Sequence, residues 1–137
     1  MCQNEELTRD IIAAAMEVHK FLGPGLLESA YKTCLLFELE EKGLQYIEEM
    51  LVPIKYKSRC IDCGFRIDVL VENKIVVELK SVEIVLPVHK AQVITYLRLL
   101  KKEVGLLINF NVPVLKQGIR RCVLSAFEDF EVECAKR

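Results

Sequence analysis

The chain has 137 residues, 52% of them hydrophobic and 28% charged, with a formal net charge of −1. That length suits a single domain over 1–137 with a real core, and no unbroken apolar run approaches the ~20 residues that cross a bilayer. The near-neutral charge excludes a global positive field of the kind that coats nucleic acid, though not an enzyme whose bound cations supply the charge locally. Met1-Cys2-Gln3-Asn4-Glu5-Glu6 shows no basic region leading into an apolar stretch, so the expectation is an intracellular, cytoplasmic protein with no membrane partner.

In chain order, Thr8 is placed to cap a first helix reaching about 22, with Ile11, Ala14, Ala15, Val18 and Leu22 on one stripe. Gly23-Pro24-Gly25 breaks it. A second helix is expected over 26–42, stopped by Gly43. One row carries Ala30, Cys34, Phe37 and Glu41, with Leu27, Tyr31 and Leu35 beside it. From Leu44 the period changes to two. Residues 45–56 read as one or two strands interrupted at Pro53, and 65–71 with 75–80 form the clearest pair, a hairpin around Glu72-Asn73-Lys74. A helix over 87–101 follows, with Pro87 suited to its first turn. Then come a buried strand at 104–110, a loop at 111–118, a short strand at 119–124 and a terminal helix at 125–137. The order α-α-β-β-β-α-β-β predicts an α/β domain, a mixed sheet flanked by helices.

The hairpin carries the chemistry. Ile67, Val69 and Val71 alternate on its first strand and Ile75, Val77 and Leu79 on its second. Side chains alternate faces, so each apolar set marks the core side and Asp68, Glu78 and Lys80 take the other face. Aligning the two apolar sets requires a loop with an odd number of residues. The three residues 72–74 supply it, setting Val71 opposite Ile75 and Asp68 opposite Glu78. Two carboxylates directly across a strand pair repel, at up to ~1 kcal/mol, unless a cation bridges them. A D…E-x-K set of this kind can hold a divalent metal beside a phosphodiester. The same letters also describe a solvated strand face.

Ahead of the hairpin, Gly25-Leu26-Leu27-Glu28-Ser29-Ala30-Tyr31 opens the second helix with Glu28 and Tyr31 on one face. With Asp68, Glu78-Leu79-Lys80, the segment Pro87-Val88-His89-Lys90-Ala91-Gln92, Tyr96-Leu97 and Gly105-Leu106-Leu107-Ile108-Asn109-Phe110, the chain resembles the GxxExxY family of the PD-(D/E)XK nuclease superfamily. The resemblance covers most of 8–124 and holds several separated motifs in the right order. It departs from the superfamily's name in reading Ile67-Asp68, without the proline.

The resemblance implies a restriction-endonuclease-like core and a metal-dependent nuclease, hydrolysing phosphodiester bonds of nucleic acid, DNA above all, by a metal-activated water. Its catalytic set would be Glu28, Asp68, Glu78, Lys80 and Gln92, with Asp68, Glu78 and Glu28 holding Mg²⁺ or Mn²⁺. Two or three carboxylates suffice for such an ion, which keeps several waters. Lys80 would orient the attacking water or stabilise developing charge. Tyr31 and Tyr96 are candidate substrate contacts, with helix packing as the alternative for Tyr96. The alternative function is a catalytically weak nuclease-fold module that binds nucleic acid or a protein. One small sheet domain offers little surface to a substrate, so a homodimer, or a protein partner supplying specificity, is expected.

Other signals are weaker. Cys60-Ile61-Asp62-Cys63 has half-zinc-site spacing but no second pair, so reduced thiols are expected. His19 and His89 stand alone and read as structural or surface residues, and Ser29 has no base partner. Asn109 ends a strand where its amide could cap a loop or touch the site. Lys90, Arg98, Lys101, Lys102, Lys116, Arg120 and Arg121 form the densest basic set.

Overall fold

Ile11, Ala14, Ala15 and Val18 recur at helical spacing and are all buried, forming the inner stripe of α1 (Glu5–Leu22). The computed structural model describes residues 4–62 and 64–124; the helix expected at 125–137 lies outside the described residues. α1 starts a turn earlier than expected. Thr8 is buried within it, its hydroxyl donating to the Asn4 carbonyl at 2.7 Å, and Asn4 holds the cap position. In α2 (Glu28–Glu41) the buried row is Tyr31, Leu35, Leu36 and Leu39, while Phe37 of the competing row faces solvent.

The segment after α2 splits at Val52-Pro53 into β1 (Tyr46–Leu51) and β2 (Ile54–Tyr56), because a proline cannot donate to a ladder. β2 pairs with a strand the sequence pattern did not reveal, β3 (Arg59–Ile61), in a separate two-stranded sheet. Cys60 on β3 is disulfide-bonded, which corrects the expected reduced thiol at that position.

The main sheet runs β1-β4-β5-β6-β7, with β4 (Arg66–Val71), β5 (Ile75–Lys80), β6 (Val104–Asn109) and β7 (Ile119–Val123). Only β5–β6 is parallel, joined through α3 (Pro87–Leu100), and the other pairs are antiparallel. The expected mixed sheet flanked by helices is therefore present. Val71 lies opposite Ile75 and Val69 opposite Val77, the register that the three-residue loop predicts. Glu72 and Asn73 both take positive φ in that loop.

The sheet is buried on both sides, not on one. Val69, Val71, Ile75, Val77, Leu106 and Ile108 pack with α1 and α2. Leu70, Val76 and Leu107 pack with Val93, Tyr96 and Leu97 of α3. By alternation Asp68 and Glu78 belong with Leu70 and Val76, so they sit on the side covered by α3, not on a solvated face. The alternation lapses just there: Ile67 also packs with the α3-side cluster.

Gly105 lets α3 approach β6 closely. A Cβ there would lie 2.7 Å from Val93 Cγ1 and 3.3 Å from the Val76 carbonyl oxygen. Gly105→Ala is expected to destabilise the fold by about 1–3 kcal/mol, the usual cost of overpacking. Denaturant unfolding measures it, and an unchanged midpoint would contradict this contact.

Candidate active site

Beyond Val69 and Val77 the β4–β5 pairing passes from main chain to side chain. The Asp68 amide donates to Glu78 Oε1 at 2.9 Å, and the Leu79 amide donates to Asp68 Oδ2 at 2.8 Å. Each carboxylate thus accepts a backbone N–H from the other's strand, or its neighbour. Glu78 is only 5% exposed.

Burial is the largest force on Glu78 and the charge of Asp68 the second; together they push its carboxyl up to about 8, against the pull of the Asp68 N–H and of Lys80. Asp68 is likewise raised, first by burial and then by Glu49, while the Leu79 N–H, Lys80 and Lys32 oppose the shift. Without a cation such a pair shares a proton.

Tyr96 lies beside the pair. It is 4% exposed, and burial, then the charges of Glu78 and Asp68, hold its phenol above the ordinary value. Gln92 stands one turn earlier on α3 and lines the same groove as Tyr96. Lys80 ends β5, half-buried, and acts electrostatically on both carboxylates.

Glu28 is exposed at the first residue of α2, where a helix N-terminus favours a negative charge. The loop before it is tied to the end of β5: Ser81 Oγ donates to the Leu26 carbonyl at 2.5 Å. Among the described residues no three His, Cys, Asp or Glu side chains are gathered closely enough to hold a metal ion, so the close pair is Asp68 and Glu78.

Tyr31, expected to touch substrate, has a different place. Its ring is fully buried and stacked on Phe110 at 4.4 Å. Its hydroxyl donates to the Gly23 carbonyl at 2.5 Å and accepts the Leu26 amide at 3.1 Å. Both capacities go to the Gly23-Pro24-Gly25 turn, so the ring positions the start of α2. Asn109 is also buried. Its Oδ1 accepts the amides of Val82 and Asn111 and its Nδ2 donates to the Val82 carbonyl, clamping the loop after Lys80. His19 Nε2 meets the Val112 carbonyl at 2.9 Å, and His89 Nδ1 accepts the Leu86 amide at the head of α3. Both are structural, as expected.

Glu49 went unnoticed in the sequence. The β1–β4 register runs from Glu48↔Val69 to Met50↔Ile67, leaving Glu49 across from Asp68 with φ at 54°, a rare conformation for a side chain of this kind. It meets Lys32, one turn after Glu28 on α2, at 2.9 Å. Only the β1–β4 pairing reveals it.

A carboxylate pair on adjacent strands, Glu78 buried and Asp68 half-buried, a lysine two residues on, and a following helix over the site together match one known architecture. The model of the PD-(D/E)XK nuclease superfamily matches residues 5–122. The chain belongs to the PD-(D/E)XK nuclease superfamily. Its five-stranded mixed sheet with three helices fits the restriction-endonuclease-like core, and membership suggests a nuclease-like hydrolase. No curated protein and no solved structure matches the chain. No helix among the described residues is long and apolar enough to cross a membrane.

The carboxylate pair of this superfamily member sets a pH signature. Glu78 holds its proton to about 8 in the folded state, against 4.5 ordinarily, so folding takes up a proton between those values. That contribution is complete below the ordinary value and is lost as pH rises through the folded one. Thermal melting in EDTA should therefore show stability falling from about pH 5 to about pH 8 relative to Glu78→Gln. Millimolar Mg²⁺ or Mn²⁺ should restore it at the alkaline end. Parallel profiles for the two proteins would refute the raised carboxyl.

Proposed function

We propose that this chain is a divalent-metal-dependent nuclease that hydrolyses phosphodiester bonds of DNA, with water as the nucleophile. The observation that carries the reading is the Asp68–Glu78 pair: a buried and a half-buried carboxylate bonded to each other's strands, with Lys80 acting on both.

The pair fits a hard cation. Its donors are oxygens, and the forces that raise the two carboxyls, burial for both, then the charge of Asp68 on Glu78 and of Glu49 on Asp68, would be offset by a bound cation. Two carboxylates leave room for the water and phosphate oxygens that Mg²⁺ or Mn²⁺ retains. When bound, such an ion lowers the pKa of a coordinated water and polarises the phosphate. Glu28, which opens the helix after the loop tied to Ser81, would join this set through water rather than directly.

Lys80 places a positive charge where the attacking water is oriented and where negative charge grows on the phosphate. The Gln92 amide hydrogen-bonds the water or a phosphate oxygen, and Tyr96 contacts substrate at the groove beside it. Attack by water on phosphorus breaks one P–O ester bond, and the departing oxygen takes a proton. The Gly25–Tyr31 pattern supports membership of the GxxExxY group. Exposed Phe21 and Leu27 offer a surface for a second copy or a protein partner that supplies specificity.

A second reading is a nuclease-fold module that binds without cleaving efficiently. It is favoured by one observation: no third His, Cys, Asp or Glu joins the pair among the described residues. Cleavage of single- and double-stranded DNA with Mg²⁺, Mn²⁺ or EDTA separates the two. Wild type should cleave with metal only, and Lys80→Ala and Asp68→Asn should each lose about 10²-fold or more. A wild type inert under every condition, or variants as active as it, would leave the binding module.

A further inference from the structure

Between β2 and α3 runs a groove of about 500 Å³, lined by Ile54, Phe65, Val88, Gln92, Thr95 and Tyr96 among others. Phe65 is 41% exposed and Val88 63% exposed, so the walls present apolar surface to water. The groove includes Tyr96, on which the charges of Glu78 and Asp68 act, and Gln92 one turn earlier on α3.

The β2–β3 register extends this surface. Ile54 pairs with Ile61 and Tyr56 with Arg59, and residues directly across an antiparallel pair share a face. Ile54 lines the groove, so Tyr56, Arg59 and Ile61 continue it outward along the hairpin. Tyr56 is itself mostly exposed, with Lys57 Nζ 5.4 Å from its ring centre. Charge is concentrated here as well. Residues 54–66 hold Lys55, Lys57, Arg59 and Arg66 against a single acid, Asp62, in a chain whose total is −1, and Arg59 lies on the groove side while Lys55 takes the other face.

We propose that this groove and the hairpin face continuing it receive a single strand of DNA, an unstacked base resting against Phe65 while Arg59 and neighbouring cations meet phosphates. The inference rests on the nuclease reading, because it names the substrate form of the same site. Aromatic side chains beside a basic track are the pattern by which proteins hold single strands, whose bases offer free π faces. A duplex keeps those faces stacked and has nothing to place in an apolar groove. Cations alone would suit any polyanion; the exposed Phe65 wall selects the unstacked one.

Fluorescence anisotropy in EDTA, with labelled oligothymidylate and a labelled duplex of equal length, tests this without turnover. The single strand should bind about tenfold or more tightly than the duplex, and Phe65→Ala should weaken it by about tenfold, the range of one lost base stack. Arg59→Glu should weaken it too and flatten its salt dependence. Thermal melting of each variant checks that the fold is intact. Equal or tighter duplex binding, or a folded Phe65→Ala that binds like wild type, overturns the proposal. If the strand binds as described yet is never cut with Mg²⁺ or Mn²⁺, the groove assignment stands and the nuclease reading falls. If wild type and Phe65→Ala cut duplex alike, the nuclease reading stands and this one falls.

Discussion

The reciprocal bonds between Asp68 and the β5 strand are the constraint on which the site depends. Two backbone amides at the end of a strand pair are satisfied by carboxylate oxygens. A buried amide left unpaired costs about 1–3 kcal/mol, so the backbone needs these side chains as much as they need it. The carboxylates are thereby held in place before any ligand arrives. Their cost is electrostatic, since both are raised by burial and by like charge. Geometry and repulsion come from the same residues, which is what suits the pair to a cation.

The surroundings serve that pair in layers. Ser81 ties the turn before α2 to the end of β5, and Tyr31 locks the same turn from beneath. Asn109 holds the loop that leads from Lys80 into α3. α3 then lies close on the sheet, across Gly105, and brings Tyr96 over the carboxylates. The Lys32–Glu49 pair on the other side adds opposing charges near Asp68. Elements from four parts of the chain meet at one strand end.

Much of this was legible in the residues themselves. The odd loop at 72–74 predicted the β4–β5 register, and one step beyond its last pair the Asp68 amide meets the Glu78 carboxylate. The α1 stripe, the position of α3 and the buried β6 followed from periodicity, and the separated motifs pointed to the superfamily that the match over 5–122 bears out. Of the two rows named on α2, only the one with Tyr31 and Leu35 is buried, and assigning Tyr31 to substrate overlooked where its hydroxyl could bond. The alternative reading of Asp68 and Glu78 as a solvated face is not met, since α3 covers their side of the sheet.

Local rules explain the division. Side-chain alternation and loop parity act over a few residues, so sequence by itself determined that two acids and a lysine share a strand-pair face. Burial is decided by elements far apart in the chain. Only the tertiary structure could bring α3 down over Glu78, set Glu49 across from Asp68, and fold β2 and β3 beside α3 to make a groove. The α3 contact turns a charged face into a desolvated one, and removal from water is the largest cause of the pair's raised carboxyls.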